Sequence, residues 1–118
     1  MEIDQPQATR IMNVSTNNEL QCTIALAALE SVIDPEIGLN VVDLGLIYRI
    51  DFDAQPARIS LLMTLTTAFC PMGDAITAAV EQVMHETFST VEIGVELTFD
   101  PPWTPGRISE AGNEFLNR

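Results

Sequence analysis

Cys70 has the most chemistry to offer of any side chain in this sequence. It stands in Thr66-Thr67-Ala68-Phe69-Cys70-Pro71-Met72-Gly73-Asp74, between an alternating apolar run and a helical one. Proline fits best at the first position of a helix. With Pro71 there, Cys70 becomes the N-cap and its sulfur lies near the N–H groups of Met72 and Gly73. Such donors and the helix dipole favour an anion. A thiolate is the form that binds metal or attacks, and helix N-termini lower a thiol pKa. Thr66 and Thr67 add hydroxyl donors, and Gly73 leaves space for an approaching partner. Asp74 opposes the thiolate. The competing reading of Cys70 is a small hydrophobe packed at a tight turn.

The other candidates are weaker. Cys22 falls on an apolar helical stripe and reads as core. His85 lies on a polar helix face with no cysteine beside it in sequence, so a Cys-His pair is not indicated. Asp34, Glu36 and Asp43 share one segment; pairing for acid–base catalysis competes with plain turn formation. Trp103, set among prolines, reads as a packed lid over one end of a sheet.

Composition removes several classes of function. The chain has 118 residues, with 5 Lys+Arg against 17 Asp+Glu, a net charge of −12. All five cations are arginines (Arg10, Arg49, Arg58, Arg107, Arg118), and they are scattered. Phosphate-backbone binding needs clustered cations, so nucleic acid is not an expected partner. An anionic membrane surface is disfavoured for the same reason, and no run of about 18 apolar residues reads as a span. Without a lysine there is neither a Schiff base nor a P-loop. Two cysteines and one histidine do not make a four-ligand structural zinc site without recruiting carboxylates. The acidic N-terminus lacks a signal-peptide h-region, and reduced thiols in the cytoplasm are expected.

The elements that must position Cys70 are legible from periodicity. Residues 1–18 are polar and without period, and read as a mobile arm ahead of one domain over 19–118. Cys22, Ala25, Leu26, Leu29, Val32 and Ile33 predict a helix from Glu19 to Ile33, capped by Asn17 or Asn18 and stopped by Pro35. Residues 34–45 read as an ordered loop. Three runs alternate with period two: Leu46, Tyr48, Ile50 and Phe52; Ile59, Leu61, Met63 and Leu65; and Val91, Ile93, Val95, Leu97 and Phe99. Each predicts a strand with one apolar face, and Ile47 and Leu62 fall on the other face as a potential partner contact. A turn at Asp53-Ala54-Gln55-Pro56 joins the first two as a hairpin. A helix over 71–88 links the second and third strands, which should then run parallel. Ser109 caps a short last helix ending near Leu116. The expected fold is α/β (α+β): a two-layer sandwich, α-β-β-α-β-α, with a three-stranded mixed sheet and helices on one face.

With these residues in place, the sequence resembles a known family. Asp34-Pro35-Glu36-Ile37, Val41-Val42-Asp43-Leu44-Gly45-Leu46-Ile47-Tyr48, Met63-Thr64-Leu65-Thr66 followed by Cys70-Pro71, and Pro101-Pro102-Trp103-Thr104-Pro105 resemble the motifs of the PaaD-like metal–sulfur cluster biosynthetic family, the iron–sulfur cluster assembly (FSCA) domain. The resemblance runs from about Leu20 to Leu116. It implies a maturation factor that carries clusters, or helps deliver them, to apo-proteins. Its reactive cysteine falls on Cys70, with Asp43, Glu36 and Thr66 beside it as cofactor-binding candidates. The implied partners are apo iron–sulfur proteins and cluster-assembly proteins.

One cysteine does not hold a cluster, which takes about four ligands. A transient iron–sulfur cluster is therefore expected to be shared, with the Cys70 of a second copy in a homodimer or with a client's sulfurs. Two other readings stand beside this one. The first is a metal-free adaptor that docks clients through the loop and Trp103. The second is a thiol-dependent enzyme, which the absence of a Cys-x-x-Cys pair weakens.

Overall fold

The computed structural model describes residues 9–11, 13–55, 57–69 and 71–117, the first three by their backbone. Its sheet has five strands: β1 (Thr9–Ile11), β2 (Val14–Thr16), β3 (Ile47–Ala54), β4 (Ala57–Met63) and β5 (Glu92–Leu97). They lie side by side in that order. β1–β2 and β3–β4 are antiparallel, whereas β2–β3 and β4–β5 are parallel. The helices are α1 (Glu19–Leu29), α2 (Val41–Leu44), α3 (Gly73–Thr87) and α4 (Glu110–Leu116). No helix among the described residues is long and apolar enough to cross a membrane.

The mixed α+β architecture and the parallel β4–α3–β5 link agree with the sequence reading; the number of strands does not. β3, β4 and β5 are the three expected strands. β2, extended at the edge by β1, comes from residues read as an arm. Asn13, with φ +67°, takes the left-handed conformation that asparagine tolerates and turns the chain between them. Val14 and Thr16 are buried. Two alternate positions are too few to show a period, and one of them is a threonine. Residues 1–8 lie outside the described residues.

Alternation put one face of the sheet inward, and this holds over most of its length. Ile50, Ile59, Leu61, Met63 and Ile93 form a core with Cys22, Leu26 and Leu29 of α1 and Ile76, Val80 and Met84 of α3. The opposite face carries Arg49, Asp51, Arg58, Ser60, Leu62, Gly94 and Glu96 around a shallow depression. The pattern breaks at one place. Ile47 pairs with Met63, but Arg49 pairs with Leu62, so Tyr48 is an extra residue in β3. Such a bulge reverses the alternation on its N-terminal side. Ile47 is thereby turned into the core, 1% exposed. It is not the outer-face partner contact that simple alternation suggested.

Helix ends differ for local reasons. Asn18 caps α1, its side chain accepting from Gln21 N–H at 3.0 Å. The helix stops at Leu29, not Ile33, because Ile33 bridges to Asn40 and Val41 N–H donates to Val32 C=O at 3.0 Å. The segment read as a loop contains α2, one turn capped by the Asn40 side chain and closed by Gly45 at φ +81°. α3 begins at Gly73 with Met72 as its cap residue. Cys70 is therefore not the N-cap. α4 begins as expected, with Ser109 Oγ accepting from Gly112 N–H at 2.9 Å.

Candidate functional site

Cys70 lies outside the described residues, so the candidate site is built from what surrounds its place in the chain. β4 ends at Met63 in the middle of the sheet. Thr64 N–H donates to Leu46 C=O at 2.8 Å on one side. On the other, Thr98 N–H donates to Met63 C=O at 2.9 Å. The loop from Leu65 to Met72 thus leaves the sheet between the start of β3 and the end of β5. Within it Thr66 is half-buried, and Thr67 Oγ1 accepts from Phe69 N–H at 3.3 Å. Phe69 is 91% exposed and Met72 also reaches the surface. Gly73 then enters α3 hard against Leu65: a methyl group there would stand 2.8 Å from Leu65 Cδ1. The glycine serves close packing of the helix start, and leaves no room there for a partner.

The remaining motifs gather at this same end of the sheet. Trp103 Nε1–H donates to Leu44 C=O at 2.7 Å, and Tyr48 O–H to Pro101 C=O at 2.8 Å. Arg107 Nε–H donates to Gly45 C=O at 2.8 Å, and its guanidinium lies 4.3 Å above the Tyr48 ring. The segment 101–107 is therefore strapped across residues 44–48. Gly45 is required twice, for its left-handed φ and because a side chain there would collide with Arg107. The Trp103 indole is held by the backbone of α2, which agrees with a packed aromatic at the sheet end.

Asp43 is engaged on both carboxylate oxygens. Ser109 O–H donates to Oδ1 at 2.6 Å and Asn40 Nδ2–H to Oδ2 at 2.8 Å. Ser109 N–H also donates to the Asp43 carbonyl at 2.8 Å. This residue ties α2 to the cap of α4. Asp34 is buried, and its Oδ1 accepts from Glu36 N–H at 2.9 Å, which makes the turn of the Asp-Pro-Glu segment. The Glu36 side chain points to solvent. Pro35 lines a groove of about 280 Å³ together with Val32, Ile33, Ala75, Ala79, Val83 and Glu86, so this segment runs beside α3. The strap 101–107, residues 44–48 and the end of β4 are thus held together at one end of the sheet. No hydrogen bond joins Glu36, Asp43 and Thr66 among the described residues. Among the described residues no group of three or more His, Cys, Asp or Glu side chains is placed to hold a metal.

Cys22 is sealed in the core at 0% exposure. Burial pushes its thiol pKa up, and a hydrogen bond with the Thr16 side chain offsets this in part. Sequence reasoning missed the Arg107–Tyr48–Gly45 contact. Its signal was indirect: an arginine is among the residue types best able to stack on a ring and bond a carbonyl at once.

Comparison with known proteins identifies the family. A family model described as "Iron-sulfur cluster assembly protein" matches residues 24–97. The Fe-S protein maturation auxiliary factor YitW of Bacillus subtilis is 34% identical over 84 residues, 71% of this chain and 81% of that protein. The Fe-S protein maturation auxiliary factor SufT of Staphylococcus aureus is 38% identical over 78 residues, 66% of this chain and 88% of that protein. A crystal structure of a domain of unknown function, DUF59, from Bacillus anthracis superposes with a TM-score of 0.76 at 33% identity, covering 85% of this chain and 98% of the other. With its motifs at one end of the sheet and its fold and sequence shared with these proteins, the chain belongs to the iron–sulfur cluster assembly protein family.

Proposed function

We propose that this protein is an iron–sulfur cluster maturation factor that handles its cargo through Cys70. The role in cluster assembly follows from family membership and from relatives named as maturation auxiliary factors. The assignment to Cys70 is carried by one observation. The chain has two cysteines, and Cys22 is sealed in the core with its thiol held protonated. A buried, neutral thiol neither ligates iron nor exchanges, which leaves Cys70 as the sulfur donor. A single thiolate supplies about a quarter of a cluster's usual ligands. The cargo is then shared, its other ligands coming from a client, a small thiol or a second copy. Incomplete ligation suits transfer better than storage. Asp43 acts here as a positioning residue, while Thr66 and the exposed Glu36 are the polar side chains offered to the cargo.

Anaerobic reconstitution with iron and sulfide tests this, read by visible absorbance and iron counting. Wild type and Cys22→Ala should load equally, and Cys70→Ser should lose most of the signal. Equal loading of all three overturns the assignment.

An adaptor reading is favoured by a different observation, the 91% exposure of Phe69, since a large apolar side chain in water at a functional loop suits protein contact. Pull-down with apo-proteins separates the two. Under the adaptor reading Cys70→Ser keeps its partners and Phe69→Asp loses them. Trp103→Ala is the poorer probe, because that indole is part of the fold.

A further inference from the structure

Strand β5 ends the sheet, and its outer edge is open. It has six residues against three in β1 at the opposite edge. Its register with β4 is unbroken from Arg58↔Glu92 to Met63↔Leu97. Successive residues of a strand turn their N–H and C=O groups to opposite sides. Thr98 N–H donates to Met63 C=O, so Glu92, Gly94 and Glu96 face β4 as well. Ile93, Val95 and Leu97 then present their backbone groups to the open edge. Among the described residues no other segment hydrogen-bonds to these three. Proline and bulges are common ways of blunting an edge, and β5 has neither.

The side chains divide by face. Glu92 and Glu96 are exposed on the outer face. Glu92 is paired with Arg58 at 3.2 Å, and no ion pair among the described residues holds Glu96. Ile93, Val95 and Leu97 lie on the helix-covered face, and their burial falls along the strand. Ile93 is buried, Val95 half-buried, Leu97 40% exposed and Phe99 beyond it 41% exposed. The less covered end is the one beside the Cys70 loop, because Leu97 pairs with Met63, the residue at which β4 ends.

An occupant of this edge needs an extended backbone, apolar side chains toward Leu97 and Phe99, and cations toward Glu96. A second copy fails the last requirement. Its own β5 would add Glu92 and Glu96 to the acids already there, between molecules that each carry −12, and like charges opposed across strands are unfavourable. We propose that the open edge of β5 takes up one added strand from a client protein, an extended segment in which apolar and basic side chains alternate. This rests on reading the chain as a maturation factor, and it sets the client's segment beside the loop that carries Cys70.

NMR titration of the isotope-labelled full chain tests this at about 0.15 M NaCl, where long-range attraction is screened. The probe is a capped peptide of about eight residues, a common strand length, alternating lysine and valine. Saturable binding with a Kd of about 1 mM or below is expected, with amide shifts and slowed hydrogen exchange at Val95 and Leu97. N-methylation through the centre of the peptide keeps its charge and removes its backbone donors, and should weaken binding at least about tenfold. Leu97→Pro removes an N–H that β4 does not use and should have an effect of about the same size. Glu96→Lys should weaken binding roughly threefold, and circular dichroism confirms that both variants are folded. The Cys70→Ser chain should bind the peptide as wild type does, so a failed cluster reconstitution and a failed titration are separate results. No saturable binding up to about 5 mM peptide overturns the proposal. A methylated peptide that binds equally well overturns it too, as do shifts that leave Val95 and Leu97 untouched, since either result means attraction of charge without an added strand.

Discussion

The Cys22 thiol is sealed in the core, and the consequence is measurable. Burial raises the Cys22 pKa above its ordinary value. In the unfolded chain that thiol ionises near the usual value of about 8.5, so above this pH the unfolded state gives up a proton that the folded state keeps. Stability contributed by the neutral thiol is thus complete below about pH 8.5 and is lost as pH rises toward the folded value, with a slope of at most about 1.4 kcal/mol per pH unit. Urea unfolding at pH 7 and pH 9.5 should show a steeper loss for wild type than for Cys22→Ala, and equal losses would contradict the burial argument. Asp43 makes a second case at this scale. Its two carboxylate bonds and its carbonyl bond all serve the α2–α4 junction. Asp43→Ala also leaves Asn40 and Ser109 short of an acceptor. A loss of about 2–4 kcal/mol in the free energy of urea unfolding is expected, since bonds to a charged group are worth about 1.5–3 kcal/mol each and do not add fully. A neutral result would free Asp43 for a direct role with the cargo.

Between elements, the strap 101–107 holds the start of β3. Arg107→Ala removes the bond to Gly45 C=O and the stacking on Tyr48, at an expected cost of about 1–3 kcal/mol. Arg107→Lys should recover little of it, because an ammonium lacks the planar group that does both jobs. Thermal unfolding of the two variants decides this, and full rescue by lysine would reduce Arg107 to a simple charge. This contact also shows where sequence reading stops. The strands β3, β4 and β5 were legible because Ile50, Phe52, Ile59, Leu61, Ile93 and Val95 repeat every second residue over a half-covered sheet. The bulge at Tyr48 was not, since one inserted residue leaves every side chain type unchanged and alters only the pairing. β2 was hidden because its burial rests on Val14 and a threonine. The start of α3 was misplaced by two residues because proline signals a helix entry more reliably than it marks the first turn. At the site, the motifs were readable as residues, but their meeting at one sheet end depends on hydrogen bonds between segments about 50–60 residues apart, such as Trp103 to Leu44, which no local pattern encodes.

Across the whole molecule the acidic excess is the dominant electrostatic fact. Among the described residues, exposed ion pairs lie on the outer sheet face, Arg49 with Asp51 at 3.5 Å and Arg58 with Glu92 at 3.2 Å. Pairs of that kind contribute about 0–1 kcal/mol each and leave the net −12 in place. The radius of gyration is 14.2 Å. At about 0.01 M salt the screening length of about 30 Å spans the molecule, so each carboxylate repels nearly all the others, while at about 0.15 M it shrinks to about 8 Å and only neighbours interact. Folding concentrates the acids, and the folded state carries the larger share of this repulsion. The melting temperature should therefore rise between these two salt concentrations by at least roughly 4 °C, the shift that about 1 kcal/mol produces in a domain of this size. The same increment should shrink near pH 4, where carboxylates as a class begin to protonate. Calorimetry in NaCl and in KCl at both pH values separates charge screening from ion-specific effects. A melting temperature that is flat or falling with salt at pH 7 would mean that the acids are already spread widely enough to be harmless.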